Sequence, residues 1–181
     1  TTWSNASSAI SNLKQAHVVT IEAINNHTET TLATLIRPAG FQHAKARTIK
    51  TFVAHVVDRY GGNLTRFLAV DPATLRELLL SIAGIGEETA DDILLYSAYY
   101  PVFIIDNYTR RLFFRMGIIS GQVSYSKLQF LMHSILDPDT SLYQEYHALI
   151  VEHGKRVCRK TPRCLNCCVV DLCDQAGVSF N

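Results

Sequence analysis

Apolar residues recur at intervals of three and four along most of the chain, which is the period of a helix buried on one side. After a polar Ser-Asn start, Ala6, Ile10 and Leu13 share a face and predict a helix over residues 4–14. Two short helices are expected at 20–24 and 29–36, the second closed by Pro38 and Gly40. The stretch FQHAKARTIKTFVAHVVDRYGG predicts the longest helix, with Ile49, Phe52, Val53, Val56 and Val57 as a wide core stripe and Gly61-Gly62 as the stop. Asp71-Pro72 supplies a cap followed by a proline suited to a first turn. Leu75, Leu78, Leu79 and Ile82 then recur on one helical face, and Ala90, Ile93, Leu94 and Ser97 on another, with Gly84-Ile85-Gly86 between them. Further helices are expected over 126–136 and 141–157. No stretch alternates with the period of a strand. The predicted fold is all-α.

The double glycine admits two readings. It can be only the corner of a packed helix pair, and the acids that follow it, Glu87, Glu88, Asp91 and Asp92, suit a helix start. It can also bring bare backbone N–H groups to a helix N-terminus, where a phosphate is favoured by orphan donors and the helix dipole. Such a helix-hairpin-helix grips a nucleic-acid backbone without reading its sequence. Downstream, the apolar run PVFIID ends on Asp106 and is followed by NYTRRLFFRMG, which places that carboxylate at a helix N-cap. Locally, a cap is a sufficient explanation for it.

Composition narrows the picture. The chain has 181 residues, 48% of them hydrophobic and 18% charged, enough for one well-filled core or two small domains. No apolar run is long enough to span a membrane, and no signal peptide is evident. The formal net charge is +1, so a nucleic-acid face must come from local clustering. All five cysteines fall between Cys158 and Cys173. An odd number packed so tightly is a poor disulfide framework and a good metal site, which points to a reducing compartment such as the cytoplasm or nucleoid. Cys158, Cys164, Cys167 and Cys173 follow the spacing C-x5-C-x2-C-x5-C, with Cys168 beside the third. Four thiolates at such intervals suit tetrahedral zinc and an iron–sulfur cubane equally. Lys155, Arg156, Arg159, Lys160 and Arg163 crowd around the first of them, as a solvated face or as a phosphate-contacting patch.

Taken together, the glycine hairpin, the following aspartate and the cysteine spacing resemble the helix-hairpin-helix DNA glycosylases of the endonuclease III superfamily, over nearly the whole chain. The resemblance implies a six-helix barrel domain with the hairpin at about 75–97, within residues 1–100. It implies a second helical domain over 101–181, carrying a catalytic aspartate and a C-terminal [4Fe–4S] loop. The family's cysteines run C-x6-C-x2-C-x5-C, so this chain is one residue shorter in the first interval. By this resemblance Cys158, Cys164, Cys167 and Cys173 are the cluster ligands, and Cys168, where the family usually has proline, is not one. Asp106 falls at the catalytic aspartate. RPAGFQHAKARTIK is similar to the family's loop-helix in which an apolar residue wedges into the duplex, and Phe41 stands in that place. The other reading of Phe41 is a buried aromatic at a helix start. Gly84, Gly86, Lys155, Arg159, Lys160 and Arg163 are the remaining expected DNA contacts. His147 and His153 are expected to pack or cap.

Within this superfamily the residue at position 88 decides the reaction. Endonuclease III has there a lysine that attacks the sugar and forms a Schiff base, and Glu88 cannot. The motif GIGEETADDILLY…IIDNYTRR looks most like the alkylpurine, 3-methyladenine-type branch, and implies a monofunctional glycosylase acting as a monomer on double-stranded DNA with damaged bases. Two alternatives stand beside it. One is an endonuclease III-like glycosylase and lyase for oxidised pyrimidines, using Lys127 or Lys155 as a substitute amine. The other is a catalytically silent DNA-binding relative. Trp3, Tyr96, Tyr99 and Tyr100 are candidates for stacking on a base, or for the core.

Overall fold

The computed structural model describes residues 1–178. Every element among them is helical, α or 3-10, as the periodicity predicts. The chain divides into two compact units, residues 1–86 and 87–181.

The first unit contains α1 (Trp3–Gln15), α2 (Ile21–Asn26), α3 (Glu29–Leu35), α4 (Gln42–Tyr60), α5 (Leu64–Leu68) and α6 (Pro72–Leu80). Ala9, Leu32, Ala33, Ile36 and Ala46 form one buried cluster, against which Leu13 and Ile49 pack. Most of these helices open in the same way. Thr2, Thr20, Thr28, Asn63 and Asp71 each accept a hydrogen bond from the amide three residues on, which satisfies one orphan donor. α4 does not. Its N-cap, Phe41, makes no such bond and sits in the left-handed region at φ 48°.

The second unit contains α7 (Glu87–Tyr96), α8 (Asn107–Arg115), α9 (Tyr125–Ile135) and α10 (Thr140–Arg156), then two 3-10 turns at Cys164–Asn166 and Val170–Leu172. Its core gathers Leu95, Phe113, Leu128, Met132, Tyr143 and Ile150 around the consecutive residues Phe103, Ile104 and Ile105. Those three are each about 1% exposed, so the extended segment before α8 is buried on every side. With no strand beside it, its backbone is satisfied by side chains of α9. The Phe103 amide donates to His133 Nε2 at 2.9 Å, and the Phe103 carbonyl accepts from Gln129 Nε2 at 2.8 Å. The Ile105 amide lies 3.4 Å from the Tyr125 hydroxyl, a longer and weaker contact. These bonds answer the requirement that buried backbone groups find partners. They fix the position of the next residue, Asp106.

Candidate functional site

Asp106 caps α8 with one carboxylate oxygen. Its Oδ1 accepts from the Thr109 amide at 2.7 Å and from the Thr109 hydroxyl at 2.9 Å. Oδ2 is left for other work and lies 3.7 Å from His147 Nε2 on α10. Burial pushes this carboxyl up, but the contact with His147 and the two bonds from Thr109 outweigh it, so Asp106 is held below the usual carboxylate range. It is an ionised carboxylate in a site that is 8% exposed.

Around it the charge pattern is unusual. Glu88, Asp92 and Tyr96 are spaced by four on α7 and therefore share a face. Burial raises the Asp92 carboxyl to about 6, and repulsion from Glu88 and Asp106 adds to it, against the attraction of His147. Glu88 is exposed by surface area, yet partial desolvation and then the Asp106 charge push it up as well. Carboxylates whose environments drive their ionisation apart are the arrangement from which one base and neighbouring proton carriers are made. Tyr96 closes the group, its hydroxyl 2.9 Å from His147 Nδ1. The sequence shows Glu88 and Asp106 as candidates. His147 and Asp92 belong to the same cluster; the spacing of four from Glu88 through Asp92 to Tyr96 could have found Asp92, while nothing local in the sequence marks His147.

The cysteine loop lies at the other end of α8. Leu112, Arg115, His153 and Val157 share one narrow, apolar-lined cavity with Cys158, Cys164, Cys167 and Cys173. Cys168 is exposed and is not part of that lining. Among the described residues, no three His, Cys, Asp or Glu side chains converge as ligands of a single ion. A cubane places each thiolate on a different iron, so its ligands need only line one shared space, and these four line one cavity. The cavity also carries a cation. Arg115 is 8% exposed and donates to Cys158 Sγ at 3.3 Å, to the Arg159 carbonyl and to the Lys160 carbonyl at 2.9 Å. Arg111 donates to the carbonyls of Cys158 and Gly154 at 2.8 and 2.9 Å. A buried guanidinium held against a thiol favours an anionic occupant. The donor set therefore fits a thiolate-ligated cluster. With their backbones pinned by Arg115, Arg159 and Lys160 turn exposed side chains outward, as do Lys155 and Arg163. Arg156 is paired with Glu152 instead.

In the first unit the two glycines of the hairpin separate in role. Gly84 has φ +94°, and a Cβ there would collide with Thr48 of α4, whose hydroxyl donates to the Ala83 carbonyl at 3.1 Å. Gly84 is needed for the corner itself. Gly86 has nothing within 4 Å of an added Cβ, so packing does not demand glycine there. Phe41 is 85% exposed, which removes the buried-aromatic reading. A bulky residue in the left-handed region is strained. Trp3 and Tyr99, at 77% and 68% exposed, are likewise outside the core.

Residues 1–138 match the model of the HhH-GPD superfamily of base excision DNA repair proteins. The chain belongs to this superfamily. It is 42% identical over 175 residues, 96% of this chain and 79% of the relative, to a protein of Methanocaldococcus jannaschii that carries the name of a DNA repair glycosylase. An endonuclease III of Sulfolobus acidocaldarius is 31% identical over 86% of this chain and 67% of its own length. Among solved structures, the Helicobacter pylori 3-methyladenine DNA glycosylase bound to 1,N6-ethenoadenine aligns with a TM-score of 0.74 at 25% identity, over 86% of this chain and 79% of that one. An endonuclease III–DNA covalent intermediate aligns with a TM-score of 0.76 at 22% identity, over 92% and 74%, and shares the fold. As an HhH-GPD protein the chain is a DNA N-glycosylase of base excision repair. No helix among the described residues is long and apolar enough to cross a membrane.

Proposed function

We propose that this glycosylase is monofunctional, that it acts as a monomer, and that it hydrolyses the N-glycosidic bond of an alkylated purine in double-stranded DNA, with Asp106 as its catalytic carboxylate. The observation that carries this reading is the company Asp106 keeps, which is carboxylates and one imidazole, with Glu88 where an imine-forming lysine would have to stand. An N-alkylated purine leaves with its positive charge neutralised, so it needs selection, extrusion and electrostatic help more than a covalent nucleophile. Oδ2 of Asp106, not engaged by Thr109, would stabilise the positive charge developing on the sugar and orient or deprotonate the attacking water. No amine adds to the sugar, so the strand stays intact.

Phe41 would enter the duplex as an apolar wedge and open the stack for the extruded base. The backbone at Gly84 and Gly86 and the side chains of Lys155, Arg159, Lys160 and Arg163 would bind phosphates. Cys158, Cys164, Cys167 and Cys173 would hold a [4Fe–4S] cluster. When bound, such a cluster would cross-link the C-terminal loop and keep its cations in place. The endonuclease III name of the 31% identical relative favours a second reading, a lyase using Lys127 or Lys155.

A panel of duplexes carrying alkylated purines or oxidised pyrimidines tests the substrate and the residue together. Base release from the alkylpurine duplexes is expected, with Asp106→Asn slower by about 10²–10³-fold at nearly unchanged binding. Release confined to oxidised pyrimidines overturns the substrate class. An active Asp106→Asn overturns the catalytic assignment.

A further inference from the structure

His147 is the residue in this cluster with no assigned task. Its Nε2 is buried without a hydrogen-bond partner, yet it points at Asp106 Oδ2 across 3.7 Å, too short for an intervening water and too long for a formed bond. Its other nitrogen is held. The Tyr96 hydroxyl lies 2.9 Å from Nδ1 and 3.4 Å from the Gln144 carbonyl. If that hydroxyl donates to Nδ1, the ring is neutral and its one proton is on Nε2. If instead it donates to Gln144, Nδ1–H donates to the tyrosine oxygen. A bare Nε2 would then set a lone pair against a carboxylate, a repulsion that a proton on Nε2 relieves. In either case Nε2–H faces Asp106.

We propose that His147 is a positioning residue for Asp106, its Nε2–H aimed at Oδ2 by the Tyr96 hydroxyl bound at Nδ1. The Oδ1 oxygen is fixed by Thr109, so one further donor on Oδ2 determines the rotation and charge of the whole carboxylate. Catalytic hydrogen bonds are often long before substrate binds and tighten in the complex, and a carboxylate already anchored on one oxygen can close this gap by a small turn. The groups facing His147 are Glu88, Asp92 and Tyr96 from α7 and Asp106 from the start of α8, with Arg110 acting on Glu88 from one turn further along. Three acids around one imidazole make Nε2–H the donor that selects which of them stays ionised. Its geometry assigns that role to Asp106.

The inference rests on the catalytic reading of Asp106, and its test is separable from it. Carboxyl 13C NMR of the free protein follows the ionisation of Asp106 against pH, the signal being identified by its loss in Asp106→Asn. Asparagine can mimic Nδ1 but cannot reach Oδ2, whereas glutamine can place an amide N–H where Nε2–H lies. In His147→Asn the midpoint is expected to rise from below the usual carboxylate range to within or above it. In His147→Gln it should stay low, and in Tyr96→Phe it should rise part of the way. The acid limb of kcat/KM, on whichever lesion is a substrate, should move upward with the midpoint. Single-turnover excision by His147→Asn should slow by about 10–100-fold, the scale of a displaced catalytic group. A residue that only packs would lower stability and leave the midpoint where it is. An unmoved midpoint in His147→Asn, or a rise in His147→Gln as large as in His147→Asn, overturns the proposal. Should His147→Asn fail to fold, the Gln and Phe variants decide: a raised midpoint in His147→Gln or an unmoved one in Tyr96→Phe is contrary. An active Asp106→Asn would defeat the catalytic reading alone, since the NMR midpoint does not depend on turnover.

Discussion

The two ends of α8 solve opposite electrostatic problems. At its N-terminus, Asp106 is one of several carboxylates gathered around a single imidazole; burial raises Glu88 and Asp92, while Asp106 is held below the usual carboxylate range. At its C-terminal half, Arg111 donates to backbone carbonyls and Arg115 lines the cysteine cavity, donating to the Cys158 thiol and to two carbonyls. The helix dipole favours both placements, anions at the start and cations at the end. What differs is the source of the tension. The carboxylates conflict with each other whatever else is bound. The arginines meet a thiol and backbone carbonyls, partial charges that an anionic occupant of the cysteine cavity would complement. One end reads as a place where protons are managed, the other as a place where a structural group is seated.

The largest effect expected at the cysteine end is loss of that group. The purified protein should be yellow-brown, with about four irons per chain, as a cubane on four cysteines requires. Cys164→Ser or Cys167→Ser should abolish the colour, and Cys168→Ser should leave it intact, because only Cys168 lies outside the cavity lining. Zinc without iron in anaerobically prepared protein would contradict this half of the comparison.

A smaller effect separates cations that bind DNA from cations that hold the loop. Arg159→Ala with Lys160→Ala should reduce the slope of log binding constant against log salt by ~1–2. Both side chains are exposed, while their carbonyls serve Arg115 and are unaffected by the substitution. An unchanged slope would return these residues to a solvated face.

The smallest effect lies at the acidic end. Asp92 ionises near 6 in the folded protein and near 4 when unfolded, so the folded state binds the extra proton between those values. Stability contributed by the protonated form is present below about pH 4 and is lost as pH rises through about 6. Asp92→Asn should therefore raise stability at pH 7.5 by about 1 kcal/mol, discounted for the part of the side chain that water still reaches, and by little at pH 4. Urea unfolding at the two pH values checks the sign. Equal effects at both would mean that burial does not strain Asp92.

The helices were legible because their signals are local. Residues 4–14, 29–36, 126–136 and 141–157 are predicted to within a residue or so of α1, α3, α9 and α10, and the caps at Asp71 and Asp106 are in place. α5 was missed, a helix of 5 residues that offers too short a period to recognise. Cysteine spacing was readable because all the relevant residues come from one loop. The partners of Asp106 were not, since His147 arrives from a helix far along the chain and histidine at an ordinary helical position carries no mark of its neighbours. For the same reason Arg111 and Arg115 carry no mark of their role in the sequence, and only the fold turns them onto the cysteine loop. The two roles of Gly84 and Gly86 differ through Thr48, a contact that no local pattern announces.

The central claim is that the acidic end of α8 releases a base by hydrolysis and goes no further. It is tested most directly by incubating the unmodified protein with an alkylpurine duplex, in the presence of borohydride and, separately, with or without alkali. The account requires abasic sites that break only after alkali, and no trapped protein–DNA species, because a glutamate at position 88 forms no imine. Efficient borohydride trapping, with strand breaks before alkali, would contradict it and assign the chemistry to a lysine.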